Sequence, residues 1–222
     1  MQKLKAQQTN SQLDRDLREI ADVLENAAQH EGKYLFIRDG KIAFDDLQVQ
    51  NGSDETSYLW DAVAKRTVVE AVDYDQSVSK IGDYAFAGCS SLTTALFPAA
   101  SSIGDYAFSG CTSLSRVYFP NVSSVGVGAF ISCKIKEVDF KELTEINDRA
   151  FNGCTNLISM YLTGSYVCTL AASTAFTSTP IGGYSDVAGQ FGSIYVPASL
   201  ISNYKAARNW SYFSSRFVAY EE

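Results

Sequence analysis

Between Ile81 and Leu162 one motif is written four times. It reads IGDYAFAGCSSLTTALFP from Ile81, IGDYAFSGCTSLSRVYFP from Ile103, VGVGAFISCKIKEVDF from Val125 and INDRAFNGCTNLISMYL from Ile146. The phenylalanines Phe86, Phe108, Phe130 and Phe151 recur at steps of 22, 22 and 21, and Cys89, Cys111, Cys133 and Cys154 keep the same steps. A fixed period in this range is the signature of a solenoid, in which each coil buries its apolar side only against its neighbours. Equivalent residues must therefore stack in columns, and this requirement gives each repeat position a meaning.

Three apolar positions recur along each predicted strand: Leu92, Ala95 and Phe97; Leu114, Val117 and Phe119; Ile135, Val138 and Phe140; Leu157, Met160 and Leu162. The last two of each set lie two apart, which puts them on one face of a strand, here the inner one. Burying each large side chain stabilises the fold by about 1.5 to 3 kcal/mol. Ahead of each Phe the sequence predicts a tight turn and one short helical turn. Gly82, Gly104, Gly126 and Asn147 are expected at positive φ. Asp83, Asp105 and Asp148 follow, suited to capping the first amides of that turn, with Val127 as the departure. Gly88, Gly110 and Gly153 suit a left-handed exit, with Ser132 as the exception. Pro98 and Pro120 close their strands because they bring no amide to a ladder. The third copy is one residue short between Cys133 and Ile135.

The pattern IGDYAF-x-GC-x-x-L-x-x-V-x-F-P resembles the BspA-type leucine-rich repeats of bacterial surface proteins, related to the treponemal leucine-rich repeats, over residues 68 to 200. The resemblance implies an α/β solenoid: a right-handed leucine-rich-repeat coil with parallel strands on its concave face. It also implies a place at the cell surface or in secreted form, and roles in adhesion or in binding host proteins.

The net charge of −7 argues against nucleic acid as a partner, because a phosphate backbone calls for clustered Lys and Arg. The sequence has no run of about 18 apolar residues, so no membrane span is expected. The opening, MQKLKAQQTNSQLDRDLREI, has lysines but no apolar core and does not read as a signal peptide. That fits carriage in a phage-like particle or a cytoplasmic location as well as export by another route. Four of the five cysteines share one repeat position and read as small buried hydrophobes rather than as disulfide partners. Cys168 falls outside that register. The single histidine, His30, gives no metal set, and no cofactor is expected.

The sequence divides into residues 1–32, a helix; 33–57, a hairpin and linker; 58–200, the solenoid; and 201–222, a helical and aromatic cap. Within the first, Ala6, Asn10, Leu13, Leu17, Ile20, Leu24 and Ala27 fall at heptad spacing. Residues 6–27 therefore predict either a coiled coil that joins copies into a homo-oligomer or a cap packed on the first coil. Asp39-Gly40 between apolar runs predicts a hairpin over Tyr34 to Phe44, and Asp45 to Thr56 a polar loop with Asn51-Gly52 at its turn. Residues 58–74, with Trp60, read as an atypical first repeat. Leu170 and Phe176 take the Ile and Phe positions of a fifth, and Ser178 to Gly192 reads as an inserted loop. Pro197 to Arg208 predicts a helix with Leu200, Ile201 and Tyr204 on one side. Trp210, Tyr212, Phe213 and Phe217 are expected to cover the open end.

If the inner set is right, the residues between its members form two outward columns. One is Leu96, Tyr118, Asp139, Tyr161 and Tyr195; the other is Thr94, Arg116, Glu137, Ser159 and Ser193. Repeat proteins bind through such faces, and Tyr and Arg are enriched at hot spots. Tyr118, Tyr161, Tyr195, Arg116, Glu137 and Asp139 are therefore the candidate binding residues, for a protein or a glycan. No HExxH, P-loop or GxSxG is present, so no catalytic residue is assigned and the chain is read as non-enzymatic. The alternative is a structural or display subunit that oligomerises through its N-terminal helix, as in a phage-tail-like assembly.

Overall fold

The computed structural model describes residues 69–183, apart from 74, 75 and 77, and residues 190–220, together with the backbone of three strands at 34–38, 41–44 and 47–49. The heptad helix at residues 6–27, His30, Asn51-Gly52 and Trp60 lie outside the described residues.

β1 (Tyr34–Arg38), β2 (Lys41–Phe44) and β3 (Leu47–Val49) form an antiparallel meander, and Arg38 pairs with Lys41, as expected of a hairpin over Tyr34 to Phe44. Leu47–Val49, expected within a polar loop, is a third strand. The meander joins the repeats directly, because β1 runs parallel to β4 (Glu70–Val72).

From there each coil supplies one strand to a long side and a two-residue strand to a second side. The long-side strands are β5 (Thr94–Leu96), β7 (Arg116–Tyr118), β9 (Glu137–Phe140), β11 (Ser159–Leu162), β13 (Ser193–Pro197) and β14 (Phe217–Tyr220). The short ones are β6 (Ser102–Ile103), β8 (Ser124–Val125), β10 (Glu145–Ile146) and β12 (Thr169–Leu170). The short strands form one continuous parallel sheet. The long side consists of two sheets, β3-β2-β1-β4-β5-β7 and β14-β13-β11-β9. The interruption between β7 and β9 follows the missing residue. In the full-length copies Ser115 and Arg116 donate to Thr93, and Ile158 and Ser159 donate to Lys136. In the shortened copy Lys134, the residue before Ile135, already donates to Leu114, so the register shifts here.

The third side is a turn rather than the predicted helical turn. Tyr84, Phe86 and Gly88 donate to the carbonyls of Asp105, Ala107 and Ser109 one coil on, and the pattern repeats through Gly153 and Thr177. Positive φ falls not on Gly82, Gly104 and Gly126 but two residues later, on Tyr84, Tyr106, Gly128 and Arg149 at 54–60°. It returns at Gly88, Gly110 and Gly153, and Ser132 adopts it despite its side chain (φ 62°) because its N–H is held by Asn152. The aspartates do not cap their own turn. Asp83 Oδ1 accepts the N–H of Asp105 at 2.8 Å and Asp105 Oδ1 that of Val127 at 2.7 Å, so they tie coil to coil.

The core is the predicted spine. Phe86, Phe108, Phe130, Phe151 and Phe176 stack at centroid separations of 5.0, 5.2, 5.3 and 5.8 Å with nearly parallel planes. Phe97 and Phe119 begin a second pile at 6.1 Å, tilted against the first. All five cysteines are buried and form no disulfide with one another. The thiols of Cys111, Cys133 and Cys154 donate to the carbonyls of Phe86, Phe108 and Phe130 at 3.0–3.3 Å, which accounts for a small weak donor at this position.

At the far end α1 (Ile201–Ala206) and the turns after it close the stack. Trp210 and Phe213 pack against Phe176, the last ring of the spine. Trp210 Nε1 donates to the Cys168 carbonyl at 2.6 Å, and the Cys168 N–H donates to Tyr204 Oη at 3.0 Å. The Asn209 amide donates to the Leu170 and Ala171 carbonyls, satisfying the open edge of β12. Tyr212, expected in the cover, is 75% exposed. Among the described residues no helix is long and apolar enough to cross a membrane.

Candidate binding face

Alternation along the long-side strands sends every second residue out of the core. In β9, β11 and β13 the burial pattern obeys this, with Val138, Phe140, Met160, Leu162, Ile194 and Val196 buried between half-buried neighbours. The pairings then fix the outward columns. Thr94 faces Arg116 and Leu96 faces Tyr118. Across β9 to β13, Glu137 faces Ser159 and Ser193 in one column, and Asp139 faces Tyr161 and Tyr195 in the other.

Arg116 and Tyr118 thus end one sheet, Glu137, Asp139, Tyr161 and Tyr195 lie together in the other, and the face is not uniform. Leu96 and Thr94, expected to look outward into solvent, are only 2% and 5% exposed, and Val72 beside them is also buried. The accessible part starts at Arg116, which is exposed, and continues through half-buried Tyr118, Glu137, Asp139, Tyr161 and Tyr195. It extends one strand beyond the predicted set. β14 pairs with β13 so that Val218 follows Tyr195 and Tyr220 faces Pro197, and Val218 is 40% exposed. The aromatic content of the last stretch suited a cap and concealed this strand, although the aromatic and β-branched run Phe217-Val218-Ala219-Tyr220 was a usable signal.

Tyr161 is the centre of the accessible part. Its ring stacks on Tyr195 at 4.5 Å with planes 10° apart, and Tyr220 meets it edge-on at 6.3 Å. Burial, then the Glu137 carboxylate, with Tyr195, Asp139 and Tyr220 behind it, holds the Tyr161 hydroxyl above the usual phenol range. The hydroxyl thus lies in a negatively charged corner. The whole site consists of ring edges, hydroxyls, carboxylates and the Arg116 guanidinium on paired strands, an arrangement suited to recognition.

Repeating coils, parallel strand columns and a stacked aromatic spine define a leucine-rich-repeat solenoid. Residues 79–185 match the family model for the BspA type leucine rich repeat region in six copies, and the repeats of this chain are BspA-type leucine-rich repeats. Repeats of this family serve in general as protein-binding or surface modules. The structure is similar to a leucine rich repeat protein of T. pallidum (22% identity, TM-score 0.45, covering 77% of this chain and 61% of that one). It is likewise similar to a leucine-rich repeat protein of Bacteroides ovatus (19% identity, TM-score 0.41, covering 74% and 57%). The chain thus spans about three-fifths of the length of these structures. No curated protein matches it.

Proposed function

We propose that this chain is a non-enzymatic binding module, of the bacterial surface type, that recognises a protein through the open part of its strand face. The observation that carries the reading is the Tyr161–Tyr195 stack with Tyr220 at its edge, flanked by Asp139 and Glu137. Rigid aromatic side chains in an accessible column contribute contact area at small entropic cost, as hot-spot residues do. A glycan is disfavoured because sugar rings lie on open aromatic faces, whereas Tyr161 and Tyr195 close one face of each against the other.

Probing an array of immobilised peptides and glycans with the parent chain and with a Tyr118→Ala/Tyr161→Ala/Tyr195→Ala chain tests this. Peptide ligands of the parent are expected to be lost in the variant. A ligand that keeps its affinity for the variant refutes the face as the site, and a glycan that binds and is lost replaces the protein reading.

A further inference from the structure

The sheet that carries Tyr161 and Tyr195 ends in an edge left open among the described residues, and this inference rests on the proposed use of its face for a protein. β14 is the last strand of the order β14-β13-β11-β9, and among the described residues it makes no backbone hydrogen bond outside its ladder with β13. Such an edge presents a row of N–H and C=O groups that template another strand. On the short-strand side the fold seals the equivalent edge, where the Asn209 amide takes the Leu170 and Ala171 carbonyls. β14 carries none of the usual guards. Phe217-Val218-Ala219-Tyr220 has no charge and no proline, and its register with β13 runs without a bulge.

The side chains along this edge set the chemistry of what pairs with it. Val218 follows Tyr195 in the outward column and Tyr220 meets Tyr161 edge-on, so the edge continues the proposed face. Ala219 pairs with Val196 and shares its inward side, yet Ala219 is exposed while Val196 is buried, so the inner side is uncovered there. A further strand would set two residues, two apart, beside Val218 and Tyr220 and the one between them beside Ala219. Uncharged β-branched and aromatic side chains gain most from such cross-strand neighbours. Phe191, exposed beneath the Arg216 guanidinium at 4.2 Å, adds apolar surface where the strand begins. An edge of four residues is about 13 Å long, the size of one short segment. A stable pair of whole chains needs about 800 Å² from each, and two copies at −7 repel. We infer that the open edge of β14 receives an extended, uncharged segment of the protein partner as the next strand, β-branched or aromatic beside Val218 and Tyr220.

Titration of the full chain with an end-blocked hexapeptide of alternating valine and threonine, followed by NMR, tests this. One comparator is the same peptide N-methylated at every residue, which keeps the side chains and removes the backbone donors. The other is a glycine-serine hexapeptide, which keeps the backbone alone. Shifts are expected to centre on Phe217 to Tyr220, with both comparators bound more weakly. Val218→Lys, which places a charge on the edge, is expected to weaken binding at least about fivefold. Thr112→Lys, the same charge at an exposed position away from the edge, is expected to weaken it less than about twofold. The comparator peptides give the reading without a variant if circular dichroism shows Val218→Lys to be unfolded. Equal binding of either comparator, equal losses in the two lysine variants, or shifts confined to Tyr161 and Tyr195 would overturn the inference while leaving the face a binding surface. A concentration-dependent dimer in sedimentation that Val218→Lys dissolves would give the edge to a second copy and overturn it too. No shift at millimolar peptide would also overturn it, whereas the reading of the face falls only to the comparison with the Tyr118→Ala/Tyr161→Ala/Tyr195→Ala chain.

Discussion

The carboxylate of Asp105 stands over Gly126, its Oδ1 2.6 Å from the place a Cβ on that glycine would occupy. The same oxygen accepts the Val127 N–H, so the close approach is the bond that joins two coils. Asp83 and Gly104 repeat the relationship one coil earlier. In the fourth copy the previous coil offers Val127 in place of Asp, no carboxylate crowds the turn, and Asn147 fits. Backbone atoms of Gly104 and Asp105 lie 2.6 and 2.7 Å from the same point, so the neighbours cannot yield cheaply. Gly126→Ala should therefore cost about 1 to 3 kcal/mol or more. Asn147→Ala, which loses one hydrogen bond to Val125, should cost about 1 kcal/mol. Urea midpoints measure both, and a Gly126→Ala chain as stable as its parent refutes the crowding.

Phe108 touches Phe86 and Phe130 in its own pile and Phe119 in the next. Its truncation to Ala should cost about 3 to 5 kcal/mol, because the coils on either side are held by ladders and cannot collapse into the hole. A loss under about 1 kcal/mol in equilibrium unfolding would contradict the packing.

The thiol column should be chemically silent while the chain is folded. All five cysteines are buried, and burial together with the neighbouring Cys154 and Cys111 thiols pushes Cys133 up, suppressing the thiolate that reacts. A thiol-reactive chromophore should find no fast-reacting group among them in native buffer and all five in denaturant. Rapid native labelling of the repeat cysteines would show the coils opening.

Alkali should destabilise the fold through its closing end. Burial raises Cys168 from 9.0 to about 12 and Tyr204 from 10.0 to about 12. Raised groups keep their protons in the folded chain longer than in the unfolded one. Their stabilisation is complete below about pH 9, and it falls by about 1.4 kcal/mol per pH unit for each retained proton as pH rises towards 12. Unfolding midpoints at pH 8 to 11 test this, and Tyr204→Phe should flatten the part of the slope above pH 10. An unchanged slope in Tyr204→Phe would exclude that hydroxyl.

The spine, the cysteine column and the inward sets are legible in the sequence because a solenoid copies its period directly into side-chain registry. What the period does not encode is which coil a polar group bonds. Asp105 follows the capping pattern locally, yet its partner lies 22 residues away, because the turn runs beside its copy rather than winding into a helix. Leu96 and Thr94 illustrate a second limit, since alternation gives the side of the sheet and not whether that side is covered. Tyr161 and Tyr195 face each other across β11 and β13, whereas Tyr118 lies in the sheet that ends at β7, and Val218 and Tyr220 were hidden by an aromatic-rich stretch that reads equally as cover and as strand.

The residue missing ahead of β9 divides the long side into two ladders without dividing the stack. On the short-strand side β8 joins β10 without a break, and on the turn side Tyr106, Phe108 and Gly110 donate to Val127, Ala129 and Ile131 across the same boundary. A deletion that looks like decay in the text of the repeat is thus absorbed on one side of the coil, while the other two carry the registry through.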